Sequence, residues 1–168
     1  SMADKKILIE VCCGSIDDAI QAAAAGADRI QLNSAFFLGG LTPSYGTLIE
    51  CKARIGIPVM VMVRPRSCGM HYSEAEFASM LRDAASFVAA GADGIVFGCL
   101  EEDGRIDISR TIQMIQAIGA KQIVFHRAFD VTPDPKAALE TLIELGVHRV
   151  LTSGQQTSVF DGHRLITE

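Results

Sequence analysis

A glycine recurs through this chain at a nearly constant interval, at the end of each helix-like stretch and shortly before a run of β-branched residues. The five positions are Gly26, Gly56, Gly91, Gly119 and Gly146. Their spacings of 30, 35, 28 and 27 residues define an internal repeat. Because a helix ends favourably on a residue that tolerates the left-handed conformation, each repeat is interpreted as a helix followed by a strand.

The segments between these glycines alternate between strand and helix periodicity. Strand patterns cover residues 7–12, 29–33, 58–64, 94–98, 122–126 and 149–153, and helix patterns cover residues 15–25, 44–55, 73–90, 107–118 and 134–145. Helix starts are indicated by Ser15, by Ser73 with Glu76, and by Asp134 before Pro135. Strict alternation of this kind predicts a parallel sheet, either doubly wound or closed into a barrel.

The direction in which the strand side chains point distinguishes these two folds. Alignment of the strands on their junction glycines puts apolar residues such as Ile30, Ile95 and Ile123 on one face. The other face turns polar toward the strand ends, where it reaches Cys12, Asn33, Arg64, Gly98, His126 and Ser153. A doubly wound sheet buries both faces under helices, whereas a barrel builds its site at the strand ends. We therefore predict an α/β fold of the TIM-type (β/α) barrel.

The chain length does not match a complete barrel of this type. Its 168 residues supply about six parallel strands and five to six helices, whereas eight units require about 240 residues. We expect one domain over residues 1–168 that lacks the last two βα units. The first and sixth strands would then be unpaired edges, and we expect a homo-oligomer that associates through them.

Charge, hydropathy and cysteine content limit the partners and the compartment. Fifteen Lys and Arg residues against twenty Asp and Glu residues give a net charge of -5, which argues against nucleic acid as a partner. The longest strongly apolar run, residues 57–63, is the size of a strand and argues against a membrane span. Five cysteines form an odd set with no disulfide framework, so we expect reduced thiols and a cytoplasmic location.

The end of the fifth strand carries the most informative side chains, because His126 is followed by Arg127 and Asp130. An imidazole at an inward-facing strand end can transfer a proton while a neighbouring guanidinium holds an anion. The alternative is a histidine hydrogen-bonded to a neighbouring strand, with Arg127 and Asp130 paired as loop structure.

Other strand ends supply further candidates. Glu10 faces inward on the first strand, where it is either an acid, base or ligand, or a structural partner of Arg64. Arg64 and Arg66 are suited to bind a carboxylate or phosphate, and structural salt bridges to Glu10 and Asp130 are the alternative. Ser153 could present its hydroxyl to an anion or cap a sixth helix.

Soft donors raise the possibility of copper. Adjacent cysteines on a strand point to opposite faces, so Cys12 and Cys13 do not readily share one ion. Cys12 would face the barrel interior, where a thiol suits Cu(I), and Cys13 would pack against a helix. Met60 and Met62 are interpreted as barrel filling. The segment from Cys68 to His71 is interpreted as a solvated loop.

Seven segments, in the same order along the chain, resemble the CutC copper homeostasis family. They are residues 9–12 (IEVC), 26–30 (GADRI), 39–44 (GGLTPS), 64–66 (RPR), 91–98 (GADGIVFG), 126–130 (HRAFD) and 149–154 (RVLTSG). The resemblance implies a cytoplasmic TIM-type barrel associated by name with copper handling. It also implies roughly 80 further residues, in agreement with the size of a complete barrel.

The chain departs from this family at two places. Gln31 and Asn33 stand where the family has Glu and Cys, and the stretch from Ser67 to Gly69 replaces a Gly-Gly-Asp pattern. Cys12 therefore lacks the second thiol that a neighbouring strand would supply. The resemblance implies a copper homeostasis protein, and we expect weak Cu(I) binding through Cys12. The alternative is an enzyme, or an inactive descendant of one, that acts on a small anionic molecule at the strand ends.

That enzyme would use the proton-transfer groups and anion-binding groups identified above. Its catalytic residues would be Glu10, His126 and Asp130, and its substrate would be bound by Arg64, Arg66, Arg127 and Ser153.

Overall fold

The computed structural model describes residues 7–152, which form six strands and five α-helices in strict alternation. The strands are β1 (Glu10–Cys13), β2 (Arg29–Leu32), β3 (Val59–Met62), β4 (Gly94–Phe97), β5 (Gln122–Phe125) and β6 (Arg149–Val150). The helices are α1 (Ile16–Ala24), α2 (Tyr45–Arg54), α3 (Glu74–Ala89), α4 (Ile108–Ile118) and α5 (Pro135–Glu144). Each predicted element is present, with ends that shift by three residues or fewer.

The helix starts are capped as the sequence predicts. Ser15 accepts a hydrogen bond from the backbone N–H of Asp18, and Ser73 and Glu76 form a complete capping box. Asp134 caps α5 directly before Pro135. These side chains satisfy N–H groups that have no partner inside the helix, which fixes where each helix begins.

The six strands are parallel and lie in chain order, from β1 at one edge to β6 at the other. The sheet is strongly curled, because Glu10 of β1 and Arg149 of β6 approach within 3.8 Å, Oε1 to Nη2. A flat sheet would separate its first and sixth strands by about 24 Å. The described chain is thus a curled half-barrel, and the prediction of a barrel with six parallel strands is confirmed.

Each face of the sheet has the partner that strand alternation predicts. One face packs under the helices and forms the main core, with Ile30, Ile95 and Ile123 among its buried residues. The other face encloses a small inner cluster of Met60, Met62, Val96 and Val124, with Leu151 packed against it. Met60 and Met62 therefore fill the barrel, as expected.

Three of the helix-to-strand junctions are bound reciprocally to the strand before them. The second residue after the junction glycine donates its backbone N–H to that strand, and its side chain accepts an N–H in return. The pairs are Asp28 with Ile9, Asp93 with Val59, and His148 with Ile123. These junctions precede β2, β4 and β6, so the structural repeat spans two strand-helix units.

Two short 3₁₀ helices were not predicted, and both follow strand ends. They cover Phe36–Leu38 after β2 and Arg127–Val131 after β5. Among the helices between residues 7 and 152, none has the length and apolarity needed to cross a lipid bilayer. Association through the edges of the sheet stays a prediction.

Candidate functional site

The inward face of the sheet opens at the carboxyl ends of the strands into a cavity of about 590 Å³. Polar and charged side chains line one part of it, and apolar side chains line the rest. The lining residues are Cys12, Gln31, Asn33, Phe36, Leu38, Gly39, Met62, Arg64, Met70, His126, Arg127, Asp130, Val131 and Leu151. Sequence alternation predicted this location, because the inward-facing strand residues meet there.

His126 is buried at the wall of this cavity, with 4% of its surface exposed. Its ring Nδ1 accepts a hydrogen bond from the backbone N–H of Ala128 at 2.9 Å. A nitrogen that accepts carries no proton, so the neutral ring holds its proton on Nε2. That Nε2 is buried and has no hydrogen-bond partner among the described residues. His126 is therefore a hydrogen-bond donor at the cavity wall.

The surroundings of His126 oppose its protonation. Burial is the main cause, and the positive charge of Arg64 adds to it, so the pKa of His126 falls to about 3. A general base or acid at neutral pH would need a pKa near 7. The imidazole therefore stays neutral, and it can polarise a bound oxygen through Nε2–H.

Glycine at position 98 makes room for this ring. Gly98 follows β4, next to His126, and a Cβ built on it would lie 2.6 Å from His126 Cε1. The imidazole thus lies over the end of β4, the strand between β5 and β3.

Arg64 is attached to the loop between β2 and α2. Its Nη1 donates to the carbonyl oxygens of Leu38 at 2.8 Å and Gly40 at 3.3 Å. Gly39 has a φ of +86°, and a Cβ there would lie 3.1 Å from Nη1, so glycine permits both the backbone conformation and the close approach. Arg64 Nε is buried without a partner, and within the described chain no carboxylate pairs with Arg64.

Arg127 and Asp130 line the cavity from the 3₁₀ helix after β5 and contact each other. Arg127 Nε is 3.1 Å from Asp130 Oδ2, while Asp130 Oδ1 accepts a hydrogen bond from Thr152 Oγ1 at 2.7 Å. The Asp130 carboxylate is thereby held in one orientation and compensated in charge. Arg127 and Asp130 thus form the ion pair that the sequence suggested as one alternative, and they also lie at the cavity as the other alternative required.

Cys12 lines the cavity from β1, and its side chain is exposed. Partial desolvation raises the pKa of its thiol, and the carboxylate of Glu10 adds to this effect. Cys13 is buried on the opposite face, as strand alternation predicts. Among residues 7–152, no group of three or more His, Cys, Asp or Glu side chains is placed to hold a metal ion. The thioethers of Met62 and Met70 share the cavity with Cys12.

The expectation that Glu10 joins the other candidates at the strand ends is wrong. Glu10 is the first residue of β1, and its Oε1 lies 3.3 Å from Nε of Arg29, the first residue of β2. Its other ionic partner is Arg149 at the start of β6, so neither partner is the Arg64 suggested by the sequence. Glu10 belongs to an ion cluster at the amino ends of the strands.

Arg66 is not among the residues that line the cavity, and its assignment as a substrate-binding residue stays a prediction. Its Nε donates to Glu76 Oε2 at 2.6 Å, and its other nitrogens donate to backbone carbonyls of residues 67–69 and 71. Arg66 thus organises the loop between β3 and α3. Ser153, the remaining candidate, lies outside the described residues.

Sequence reasoning missed the apolar part of the wall. Phe36, Leu38 and Val131 come from the two short 3₁₀ helices and Met70 from a loop, where neither the strand period nor the α-helix period predicts the direction of a side chain. The only available signal for Phe36 and Leu38 was their position between a strand end and the Gly39-Gly40 turn.

A curled parallel sheet with helices outside and a polar cavity at the carboxyl ends of its strands defines a protein of the (β/α)-barrel class. The family model of the CutC family matches residues 7–168. The chain belongs to the CutC family.

Curated relatives agree with this assignment. A family protein CutC of Treponema denticola is 52% identical over 98% of this chain and 67% of its own length. One from Klebsiella pneumoniae is 48% identical over 96% of this chain and 65% of its own length. The human copper homeostasis protein cutC homolog is 46% identical over 95% of this chain and 58% of its own length. The chain thus spans about two thirds or less of the length of these relatives.

Solved structures resemble the fold as well. A CutC protein of Streptococcus agalactiae superposes with a TM-score of 0.90 at 32% identity, over 96% of this chain and 80% of that one. A 2,3-dimethylmalate lyase superposes with a TM-score of 0.66 at 12% identity, over 96% of this chain and 62% of that one. The second likeness shows a shared fold only.

Proposed function

We propose that this protein binds a small anionic molecule in the cavity, with Arg64 and His126 as the two anchoring side chains. One observation supports the proposal: Arg64 Nε and His126 Nε2 are buried N–H donors without a partner in the described part of the chain, and both residues line the same cavity. A buried donor without a partner costs roughly 1–3 kcal/mol, and a ligand oxygen that accepts from it removes this cost.

The charges of the cavity favour the same conclusion. Arg127 is paired with Asp130, whereas within residues 7–152 the guanidinium of Arg64 has two neutral carbonyl groups as its hydrogen-bond partners. An ion that is partly removed from water and lacks a counter-ion is unfavourable. A bound carboxylate or phosphate would supply the missing negative charge.

An enzymatic reaction at this site would differ from the one expected from the sequence. Glu10 lies at the amino ends of the strands, away from the cavity, and pairs there with Arg29. The Asp130 carboxylate already accepts hydrogen bonds from Arg127 and Thr152. His126 would act as a neutral donor that stabilises charge developing on a substrate oxygen, rather than as a general base. Asp130 would orient Arg127.

A second candidate function is Cu(I) binding, consistent with the copper homeostasis role named in the human relative. The observation that favours it is the convergence of three sulfur side chains, Cys12, Met62 and Met70, on one cavity. Thiolate and thioether ligands select Cu(I). The site would be weak, because a single thiol with a raised pKa must lose its proton before it binds.

Isothermal calorimetry with short carboxylates and inorganic phosphate tests the first function. We expect dissociation constants in the micromolar to millimolar range for the wild type and at least a tenfold loss in Arg64→Met. The matched control is Arg54→Met, which removes an exposed arginine paired with Glu50 on α2 and should bind like the wild type. Anion binding that survives in Arg64→Met would contradict the proposal.

Competition with a chromogenic Cu(I) chelator tests the second function. We expect Cys12→Ser to lose at least tenfold in Cu(I) affinity. Cys68→Ser is the control, because Cys68 is exposed and does not line the cavity. Equal affinity in the wild type and in Cys12→Ser would reject this ligand.

A further inference from the structure

The charges and donors of the cavity narrow the chemical class of the anion. We infer that the ligand is a monocarboxylate with a neutral oxygen on the adjacent carbon, that is, a 2-oxo or 2-hydroxy acid, rather than a phosphate. This inference rests on the proposed anion-binding function and goes beyond it by naming the ligand class.

The first step is the net charge of the lining residues. The lining includes two arginines, Arg64 and Arg127, and one carboxylate, Asp130. Arg127 forms an ion pair with that carboxylate. His126 adds no charge, because its Nδ1 accepts a hydrogen bond and the ring stays neutral. Among the residues that the structure describes, Arg64 is therefore the lining cation with no carboxylate partner. One carboxylate matches this charge, whereas a phosphate dianion would leave a surplus negative charge beside Asp130.

The second step is the different nature of the two donors. Arg64 is a cation with planar donors, the geometry that suits a carboxylate. His126 Nε2–H is a neutral donor, which is suited to a carbonyl or hydroxyl oxygen. A ligand that uses both must have a charged acceptor and a neutral acceptor.

The third step is the distance between these donors. Arg64 follows β3 and His126 follows β5, so the two backbones are separated by two strand spacings, or about 9.6 Å. The His126 ring lies over Gly98, which follows the strand between them, and the charge of Arg64 acts on this ring. Because both side chains line one cavity, a small ligand with two acceptors close together suits them better than a long molecule with acceptors at opposite ends.

Apart from the amides of Gln31 and Asn33, the remaining lining is largely apolar. Phe36, Leu38, Val131, Met62 and Leu151 present hydrocarbon and sulfur atoms to the cavity. A second carboxylate placed against these side chains would lose its hydration without gaining a partner. The rest of the ligand is therefore a short hydrocarbon chain.

Both donor atoms are covered in the free protein. Arg64 Nε and His126 Nε2 have almost no exposed surface, although their residues line the cavity, so neighbouring side chains must change rotamer to admit a ligand oxygen. Such changes are common when a ligand binds. The cost of the two unpartnered donors in the free protein favours this shift.

Calorimetry on the wild type with four probes tests the inference: 2-oxobutanoate, 2-hydroxybutanoate, butanoate and inorganic phosphate. We expect 2-oxobutanoate or 2-hydroxybutanoate to bind at least fivefold more tightly than butanoate, which has the same chain and charge but lacks the neutral oxygen. Phosphate should bind more weakly than either oxygenated acid. His126→Phe should remove the preference for the oxygenated acids over butanoate.

Each other outcome has one meaning. Phosphate binding as tight as that of the oxygenated acids overturns the inference and leaves the proposed anion site intact. Equal affinities for 2-oxobutanoate, 2-hydroxybutanoate and butanoate overturn it too, because His126 Nε2–H then contributes nothing. If none of the four probes binds, the anion-binding function itself fails. The wild-type comparison decides the question even if His126→Phe does not fold.

Discussion

His126 accepts a hydrogen bond at Nδ1 from the backbone N–H of Ala128, two residues further along the chain, at a distance of 2.9 Å. This contact assigns the proton of the neutral ring to Nε2. It also turns a histidine that resembles a proton-transfer group in the sequence into a fixed donor. The role of the residue is therefore determined by the first turn of the 3₁₀ helix that follows β5.

The depressed pKa of His126 predicts an acid-dependent loss of stability. In the unfolded chain the imidazole titrates near 6.5, whereas in the folded chain its pKa is about 3. Below pH 6.5 the unfolded state takes up a proton that the folded state refuses, so the free energy of unfolding falls as the pH is lowered toward 3. The slope from this residue is at most about 1.4 kcal/mol per pH unit.

Urea unfolding at pH 7, 6 and 5 measures this effect. We expect the stability advantage of the wild type over His126→Gln to shrink steadily with acid. His71→Gln, which removes a histidine outside the cavity, is measured beside it to show whether the change in slope is specific to His126. Parallel pH profiles for the wild type and His126→Gln would show that His126 is protonated normally.

Strand alternation predicted which face each side chain occupies, and it failed to predict the height along the strand. Arg64 and His126 were placed correctly, because each directly follows its strand by one or two residues. Glu10 has the expected parity but is the first residue of β1, since the strand begins at residue 10 rather than at residue 7. Alternation with a period of two predicts the face of the sheet on which a side chain lies, but it does not predict how far along the strand the residue is.

Beyond the strand ends the sequence offered less guidance. Arg66 follows Pro65 in a loop, where its position depends on Glu76 at the start of α3. The capping box of Ser73 and Glu76 was predictable, but the additional ion pair of Glu76 with Arg66 was not. The wall formed by Phe36 and Leu38 was missed for the same reason, because loop side chains have no periodic signal.

Substitution of Gly98 by alanine should disturb His126. The new Cβ would lie 2.6 Å from His126 Cε1 and 2.7 Å from Ala128 Cβ, distances that force the ring to move. We expect a loss of about 1–3 kcal/mol in the free energy of unfolding, together with weaker anion binding. Urea unfolding and calorimetry measure the two effects.

Gly46→Ala is the control for this substitution. Gly46 lies in α2 with nothing within 4 Å of an added Cβ, so alanine there should leave stability unchanged or raise it by up to about 1 kcal/mol. A Gly98→Ala variant as stable as the wild type, with unchanged ligand affinity, would mean that the ring does not need this space.

Glu10→Gln separates structure from function at the amino ends of the strands. The variant keeps the size of the side chain and removes the negative charge shared by Arg29 and Arg149. We expect the free energy of unfolding to fall by about 1–3 kcal/mol, because two largely buried guanidinium groups lose their counter-ion. Anion affinity should stay within twofold of the wild type.

Glu50→Gln provides the comparison for Glu10→Gln. Glu50 forms an exposed pair with Arg54 within α2, and such pairs contribute about 0–1 kcal/mol. If Glu10→Gln abolished anion binding in a protein that still folds, Glu10 would belong to the binding site after all.

The reciprocal junction at Asp93 predicts a graded series of stabilities. Asp93 Oδ2 accepts from the backbone N–H of Val59 at 2.8 Å and from Lys52 Nζ at 2.9 Å. Asp93→Asn keeps a side-chain acceptor for Val59 and loses the charge, so we expect a loss of about 0.5–1 kcal/mol. Asp93→Ala leaves the Val59 N–H without its acceptor, and we expect about 2–3 kcal/mol. Glu102→Ala, in the exposed turn before α4, should change stability by less than about 0.5 kcal/mol.

Hydrogen exchange at the Val59 amide gives the local measurement: exchange should accelerate in Asp93→Ala and stay slow in Asp93→Asn. Slow exchange of the Val59 amide in both variants would mean that the backbone hydrogen bond from Asp93 N–H to the Val59 carbonyl holds this junction without help from the side chain.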